Sequence, residues 1–487
     1  MGARTGQDYV EALRDGREVW WAGRRVDDVP THPGFAGTVR TLARLYDRQH
    51  DPAYRDEMTV EWEGERISYS YHPPITPEDL AAKRRNVERW SLDTLGHMGR
   101  FPDFCAQLTV GLLDVADDLA AADPRFGQNA RAYHRYCASR DLCLTHALND
   151  QYYDRSKRVL EQDDPDLCLH VVRETDAGIV VRGLRNLATL APLSDEALVY
   201  PIRPRAADEQ DYALAFAVPL NAPGLTTICR DLYAAHADPE RLPLTTQFDE
   251  VDASLIFDDV LVPWERVFIY RDPALAATFH RRLQLWATYA TLIRLICRME
   301  AFVGVADLLT QWDKRAQSRN VQVLLGQLIQ DLEVLRACVR AAEADAYRTP
   351  AGYLAPRLTE AYRLHSTDAA DRAVRLLQDV LTSSVMLTGG ASDLASPVIG
   401  PYVERYFRGG APSTREHLRV LAVAADMVQS AFAARNQLYE RLQSGEPDAM
   451  RARLYGRFDR AALAHRLLDF VHEDWSPAAA PAGLGAP

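Results

Sequence analysis

Lysine is nearly missing from this chain. Of 487 residues, 56 are Lys or Arg, yet only Lys83, Lys157 and Lys314 are lysines. Few candidates for Schiff-base chemistry are therefore present. Cysteine is also sparse. The seven thiols, at 105, 137, 143, 168, 229, 297 and 338, are widely spaced and include no CxxC pair. This excludes a disulfide framework and reads as buried, reduced thiols in a cytoplasmic protein. The formal net charge is −12, without the basic stripe of a general nucleic-acid binder. Long apolar runs are absent: 283–297 is broken by Gln284 and Arg294, so no membrane span is expected. The polar residues 1–15 lack the apolar centre of a signal peptide. No GxGxxG opens a helix after a strand, and there is no P-loop lysine motif, HExxH, EF-hand loop or GxSxG. The thirteen histidines show no metal-ligand spacing.

What is present is a globular chain, 47% hydrophobic and 25% charged, long enough for roughly three domains of about 150 residues. Three textures follow one another. Residues 1–145 read as helices and loops. Thr76, Pro77, Glu78 and Asp79 form a helix start, with Thr as N-cap and Pro at the first helical position. That helix is expected through His97, ending near Gly99. Residues 165–275 are rich in short β-branched runs, at 168–174, 178–189, 212–220, 225–230 and 254–269, separated by turn residues. This predicts an antiparallel barrel or sandwich. Residues 276–475 return to helix. Val321, Leu324, Leu325, Leu328, Leu332, Leu335 and Val339 share one face, and further helices are expected at 282–310, 357–387 and 412–443. Such a bundle commonly oligomerises through an apolar face. The Ala/Pro/Gly-rich tail, 476–487, is expected to be disordered.

Chemistry has to come from local strings. Four stand out: Asp15-Gly16-Arg17-Glu18 through Thr31-His32-Pro33-Gly34-Phe35; Gly99-Arg100-Phe101-Pro102-Asp103-Phe104; Glu174-Thr175-Asp176-Ala177-Gly178-Ile179; and Phe248-Asp249-Glu250 with Val262-Pro263-Trp264-Glu265-Arg266-Val267. In this order and spacing the chain resembles the 4-hydroxyphenylacetate 3-hydroxylase family, over about residues 5–475. The resemblance implies an α+β, mainly α, acyl-CoA dehydrogenase-like fold. It would comprise an N-terminal helical domain (1–145), a central antiparallel β-barrel (146–275) and a C-terminal helical bundle (276–475) that builds a homotetramer. It implies the oxygenase component of a two-component monooxygenase. A separate NAD(P)H-flavin reductase would supply FAD as FADH2. The oxygenase would react it with O2 and hydroxylate a phenolic or similar electron-rich ring, ortho to its hydroxyl, through a C4a-hydroperoxyflavin. Such a site must exclude water and favour the phenolate by a cation at its oxygen.

Arg100, after a glycine at an expected helix end, reads by itself as a cation on the helix dipole; the resemblance puts it on the substrate oxygen. His146, among apolar neighbours, reads by itself as a core histidine. The resemblance puts it between substrate and flavin, with Thr145 replacing a family asparagine. Phe104 stands where the family's hydroxyphenylacetate enzymes have Tyr. The lost hydroxyl implies a different substrate or another donor, for which Tyr152 and Tyr153 are candidates. By the same carry-over, His146, Ala147, Leu148, Tyr152, Tyr153, Asp154, Arg155 and Thr189 bind the flavin. So do Ala433, Ala434, Arg435 and Asn436, where two family glycines have become alanine. The loop Tyr200-Pro201-Ile202-Arg203-Pro204-Arg205 departs from the family and offers arginines for a carboxylate or phosphate, or merely a solvated surface. The turns at Leu387–Gly390 and Tyr406–Gly410 would approach a flavin in a neighbouring subunit. Pro263–Arg266 reads as a structural strand-to-helix corner closing the barrel.

Two other enzymes of this fold compete: a flavin-linked dehydrogenase, and an iron–sulfur dehydratase, which needs thiols near Arg100 where only Cys105 stands. The substrate is either a small aromatic or an aminoacyl group tethered to a carrier protein. No partner among nucleic acids or membranes is expected.

Overall fold

Thr76 begins its helix as the sequence requires. Its hydroxyl accepts from the Asp79 N–H at 3.1 Å, while the Asp79 carboxylate accepts from the Thr76 N–H at 2.9 Å, a reciprocal cap. The helix, Pro77–Leu92, stops well short of His97. Leu95 and Gly96 adopt φ of 53° and 67°, and the Gly96 N–H returns to the Ser91 carbonyl at 2.9 Å, a closure that suits left-handed residues. Packing enforces this stop: a Cβ on Gly96 would stand 2.4 Å from the backbone nitrogen of Arg298, on the long helix Pro273–Trp312. The protein is described here from a computed structural model that covers residues 2–387, 389–443 and 445–473. Thr388 and the tail at 476–487 lie outside the described residues.

The β-rich region forms two sheets. One has six strands, in the order Arg24–Arg25, Glu18–Trp21, Leu225–Cys229, Asp252–Pro263, Gly178–Thr189 and His170–Thr175. The other has four: Val267–Tyr270, Leu214–Pro219, Glu196–Val199 and Leu144–Ala147. The expectation of a wholly antiparallel barrel is corrected on two counts. No ladder closes the sheets into a barrel among the described residues. Two pairings are parallel, Glu18–Trp21 with Leu225–Cys229 and Leu144–Ala147 with Glu196–Val199. Both bring in strands of four residues that carry little periodicity of their own. The Trp264–Arg266 turn joins a strand of the first sheet to Val267–Tyr270 of the second, so this corner runs strand to strand rather than strand to helix. Trp264 fastens it by donating Nε1–H to the Thr175 carbonyl at 3.0 Å.

The C-terminal region consists of Pro273–Trp312, Arg319–Ala344, Glu360–Leu381, Thr414–Val428 and Ala431–Leu442, followed by Pro447–Arg457 and Arg460–Val471. Val321, Leu328, Leu332, Leu335 and Val339 are buried, as their spacing requires. The single helix expected over 412–443 is two, because the Ser430 hydroxyl caps a new start by accepting from the Ala433 N–H at 3.0 Å. All seven cysteines are free and buried. No described helix is long and apolar enough to cross a membrane.

Candidate active site

Residues 93–101 bridge Pro77–Leu92 and the almost wholly buried helix Pro102–Asp114. Several distant side chains pin this bridge. Arg294 donates to the Gly96 carbonyl at 2.7 Å, Asn436 to the His97 carbonyl at 3.3 Å, and Tyr439 to the Gly99 carbonyl at 3.1 Å. The Arg100 N–H donates to the Glu250 carboxylate. Arg100 therefore does not close a helix C-terminus. It precedes a helix N-terminus, where the dipole disfavours a cation, so the dipole does not explain its presence.

The Arg100 guanidinium lies 4.0 Å over the centroid of the Phe104 ring and 4.9 Å from that of Tyr439. Phe104, 4% exposed, meets the His146 ring edge-on at 5.5 Å. His146 sits on the strand Leu144–Ala147, buried, with Nδ1 3.5 Å from the Tyr200 hydroxyl. Burial above all, then the nearby Arg100 and His280, holds the His146 pKa well below the usual histidine range. His280 is pushed down to about 4 by burial, Arg363 and Arg100. Both imidazoles are neutral near pH 7, so the positive charge facing His146 is that of Arg100. Thr145, in the place of the family asparagine, donates to the Thr189 carbonyl at 2.6 Å and ties this strand to Gly178–Thr189.

That second side is a cavity of about 540 Å³ whose lining includes Asp150, Tyr152, Arg155, Arg203, Arg230 and Asp252. Ala147 and Leu148, both buried, lead the chain towards it. Of the loop candidates, Tyr152 and Arg155 reach the cavity. Tyr153 is 69% exposed, and Asp154 turns outward to accept from the Ser156 N–H at 2.9 Å. The Tyr152 hydroxyl accepts from Arg205 at 3.3 Å. Thr189 donates to Asp252 at 2.7 Å, and Arg435 grips the same carboxylate at 2.7 and 2.9 Å while also donating to Glu250 at 2.9 Å. Burial pushes Asp252 up, but Arg435, Thr189 and Arg230 outweigh it and bring its pKa to about 2. Ala433 and Asn436 are buried and Ala434 is exposed.

Sequence reasoning missed several residues. Glu250 and Asp252 link the two sides in one chain, from the Arg100 backbone through Glu250 and Arg435 to Asp252 and Thr189. Asp150 is buried between Arg185 and Arg205, so Arg205 is spent on that triad. Arg203 faces the cavity and stacks 5.4 Å from the Tyr152 ring centroid. Tyr439 went unnoticed although it lies four residues from Arg435, on the same helical face.

A mainly helical α+β frame around two small sheets is the acyl-CoA dehydrogenase-like class. Comparisons with known proteins narrow it. The family model for the 4-hydroxyphenylacetate 3-hydroxylase N terminal matches residues 5–269, and that for the C terminal matches 276–472. The chain belongs to the 4-hydroxyphenylacetate 3-hydroxylase family. It is 36% identical to the 4-hydroxyphenylacetate 3-monooxygenase oxygenase component of Thermus thermophilus, over 97% of this chain and 98% of that one. It is 35% identical to the pyoverdin chromophore biosynthetic protein PvcC of Pseudomonas aeruginosa, over 92% and 90%. It is 34% identical to a Streptomyces globisporus monooxygenase named for a peptidyl-carrier-protein-bound 3-amino-3-(3-chloro-4-hydroxyphenyl)propanoyl group, over 92% and 86%. Among solved structures, the oxygenase component (HpaB) of 4-hydroxyphenylacetate 3-monooxygenase complexed with FAD and 4-hydroxyphenylacetate superposes with a TM-score of 0.91 at 35% identity, covering 96% of this chain and 98% of that one. An archaeal 4-hydroxybutyryl-CoA dehydratase superposes at 0.88 with 19% identity over 98% and 96%, a likeness of fold alone.

Proposed function

We propose that this chain is the oxygenase component of a two-component, reduced-flavin-dependent monooxygenase that hydroxylates a phenolic ring ortho to its hydroxyl. The observation that carries the reading is Arg100. Its guanidinium is stacked on Phe104 beside a neutral His146, and among the described residues its Nε and Nη2 have no hydrogen-bond partner. Those donors suit a phenol oxygen and favour its ionised form.

The residues present fit a flavin dinucleotide. The cavity is of ligand size, and Arg155 and Arg203 line it with no carboxylate partner among the described residues, as an anionic pyrophosphate requires. Tyr152 and Arg155 would hold the cofactor from the loop. Thr189, Ala433, Arg435 and Asn436 would shape its bed through the Asp252 and Glu250 network. When bound, reduced FAD would supply the two electrons that activate O2, one atom of which goes to the ring and the other to water. Arg100 fixes and ionises the substrate oxygen. His146, held neutral, offers one nitrogen as donor and one as acceptor between the two compartments. Phe104, Ala147 and Leu148 keep water out.

The finer architecture follows the same reading. The two sheets act as one β module, residues 146–275 with the N-terminal strands Glu18–Trp21 and Arg24–Arg25 added, between an N-terminal helical domain (1–145) and a C-terminal bundle (276–475). A homotetramer forms, and a separate NAD(P)H-flavin reductase supplies FADH2. The substrate is an aromatic small molecule or its carrier-protein-tethered form. The test is to give the purified chain photoreduced FAD, O2 and a panel of phenols, and to follow catechol formation. Coupled hydroxylation that needs an added reductase when NADH is the electron source is expected. Robust NADH-driven turnover by the chain alone would overturn the reading.

A further inference from the structure

We propose that Tyr439 is the positioning residue that aims Arg100 at the substrate oxygen. The inference rests on the reading of Arg100 above and assigns a role to a residue that neither the sequence nor the family resemblance picked out.

A long guanidinium side chain with no carboxylate partner has rotamer freedom to lose, and fixing it costs entropy. Here that freedom is removed on two faces. Phe104 supports the guanidinium from one side at 4.0 Å. The Tyr439 ring flanks it at 4.9 Å, and the Tyr439 hydroxyl accepts the Arg100 Nη1–H. That hydroxyl donates its own O–H to the Gly99 carbonyl at 3.1 Å, so one oxygen bonds both the side chain of residue 100 and the peptide just before it. The bond engages Nη1 alone and leaves Nε and Nη2 for a ligand.

The same contact explains the glycine ahead of the arginine. A Cβ on Gly99 would stand 2.5 Å from the Tyr439 ring, so any other residue there displaces either the ring or the bridge. Tyr439 is firmly held in turn. On its helix, Asn436 bonds the His97 carbonyl, and the buried Glu440 pairs with Arg294 at 2.7 Å and Arg298 at 3.1 Å. Arg435 and Arg294 lie 5.1 and 5.6 Å from the ring. Burial keeps the phenol protonated, against the pull of Arg100 and Arg294, so the hydroxyl does not cancel the charge it orients.

Tyr439→Phe keeps the ring and its stacking and removes only the two hydroxyl bonds. With p-cresol, 4-hydroxyphenylacetate and L-tyrosine as probes, taking the one bound most tightly, the variant should weaken phenol binding and lower product formed per reduced flavin by about three- to tenfold, with hydrogen peroxide rising and melting temperature unchanged. The deciding measurement is the phenol Kd in Arg100→Ala with and without Tyr439→Phe. If Tyr439 acts through Arg100, its substitution adds nothing in that background. An equal further loss there would show that Tyr439 acts independently and would overturn the proposal. Normal binding in Tyr439→Phe beside weak binding in Arg100→Ala would also overturn it, leaving the Arg100 reading intact. Normal binding in Arg100→Ala would remove both.

Discussion

The two sides of the site handle charge in opposite ways. On the Arg100 side the guanidinium lies against Phe104 and the neutral His146, and among the described residues its Nε and Nη2 have no hydrogen-bond partner. On the cavity side charges are dense but mostly satisfied among themselves: Asp150 with Arg185 and Arg205, Asp252 with Arg435 and Arg230. A buried pair whose partners satisfy each other rigidifies its surroundings. A lone, oriented cation is available to a ligand. The difference separates scaffold from chemistry within one continuous hydrogen-bonded network.

Substitutions should therefore part the two sides by what they damage. Asp150→Ala is expected to give the largest effect, a stability loss of about 3–5 kcal/mol from leaving two buried guanidiniums unpaired, read as a fall in denaturation midpoint. A small effect there would mean that the triad is solvated and the cavity side less rigid than its geometry implies. Gly99→Ala should cost about 1–3 kcal/mol of strain against the Tyr439 ring, yet show mainly as uncoupled peroxide formation, because the displaced groups are those that hold Arg100. An unchanged peroxide yield would detach Gly99 from the site.

The third effect is in pH. The folded protein holds His146 neutral and His280 near 4, while an unfolded histidine titrates near 6.5. At these two residues the unfolded chain binds more protons between pH 6.5 and about 4, so their contribution to stability falls as pH drops through that window. Asp252, at about 2 against an ordinary 3.8, contributes stability present above 3.8 and lost only as pH falls towards 2. The Arg100 side should thus weaken in mild acid before the cavity side. His280→Gln, which removes an imidazole flanked by Arg100, Arg363 and Tyr200, should flatten the slope between pH 6.5 and 4. A slope unchanged in that variant would place its origin elsewhere.

The features legible in the sequence were those set by neighbours along the chain. The Thr76 cap, the apolar face at 321–339 and the strands at 178–189 and 225–229 all follow local rules of capping and periodicity. What escaped depends on distant partners. The strand Glu18–Trp21 exists because Leu225–Cys229 pairs with it. Pro77–Leu92 ends early because Gly96 meets another helix. Glu250 and Tyr439 matter because folding brings them to residue 100. The resemblance carried Arg100 and His146 to one place. It did not reveal that Tyr153 and Ala434 turn outward, that Arg205 is consumed by Asp150, or that Thr145 ties the two strands.

Arg100 is tested most directly by a single assay: product and hydrogen peroxide measured together in Arg100→Ala, with photoreduced FAD, O2 and a phenol that the unaltered protein hydroxylates. Loss of a charge-assisted bond of roughly 1.5–3 kcal/mol predicts about a ten- to hundredfold drop in product, with reduced flavin still consumed and peroxide rising to match. Arg100→Lys should recover part of the product, since a point charge cannot reproduce the fork. Product and peroxide in Arg100→Ala at the proportions of the unaltered protein would contradict the assignment of Arg100 to the substrate oxygen.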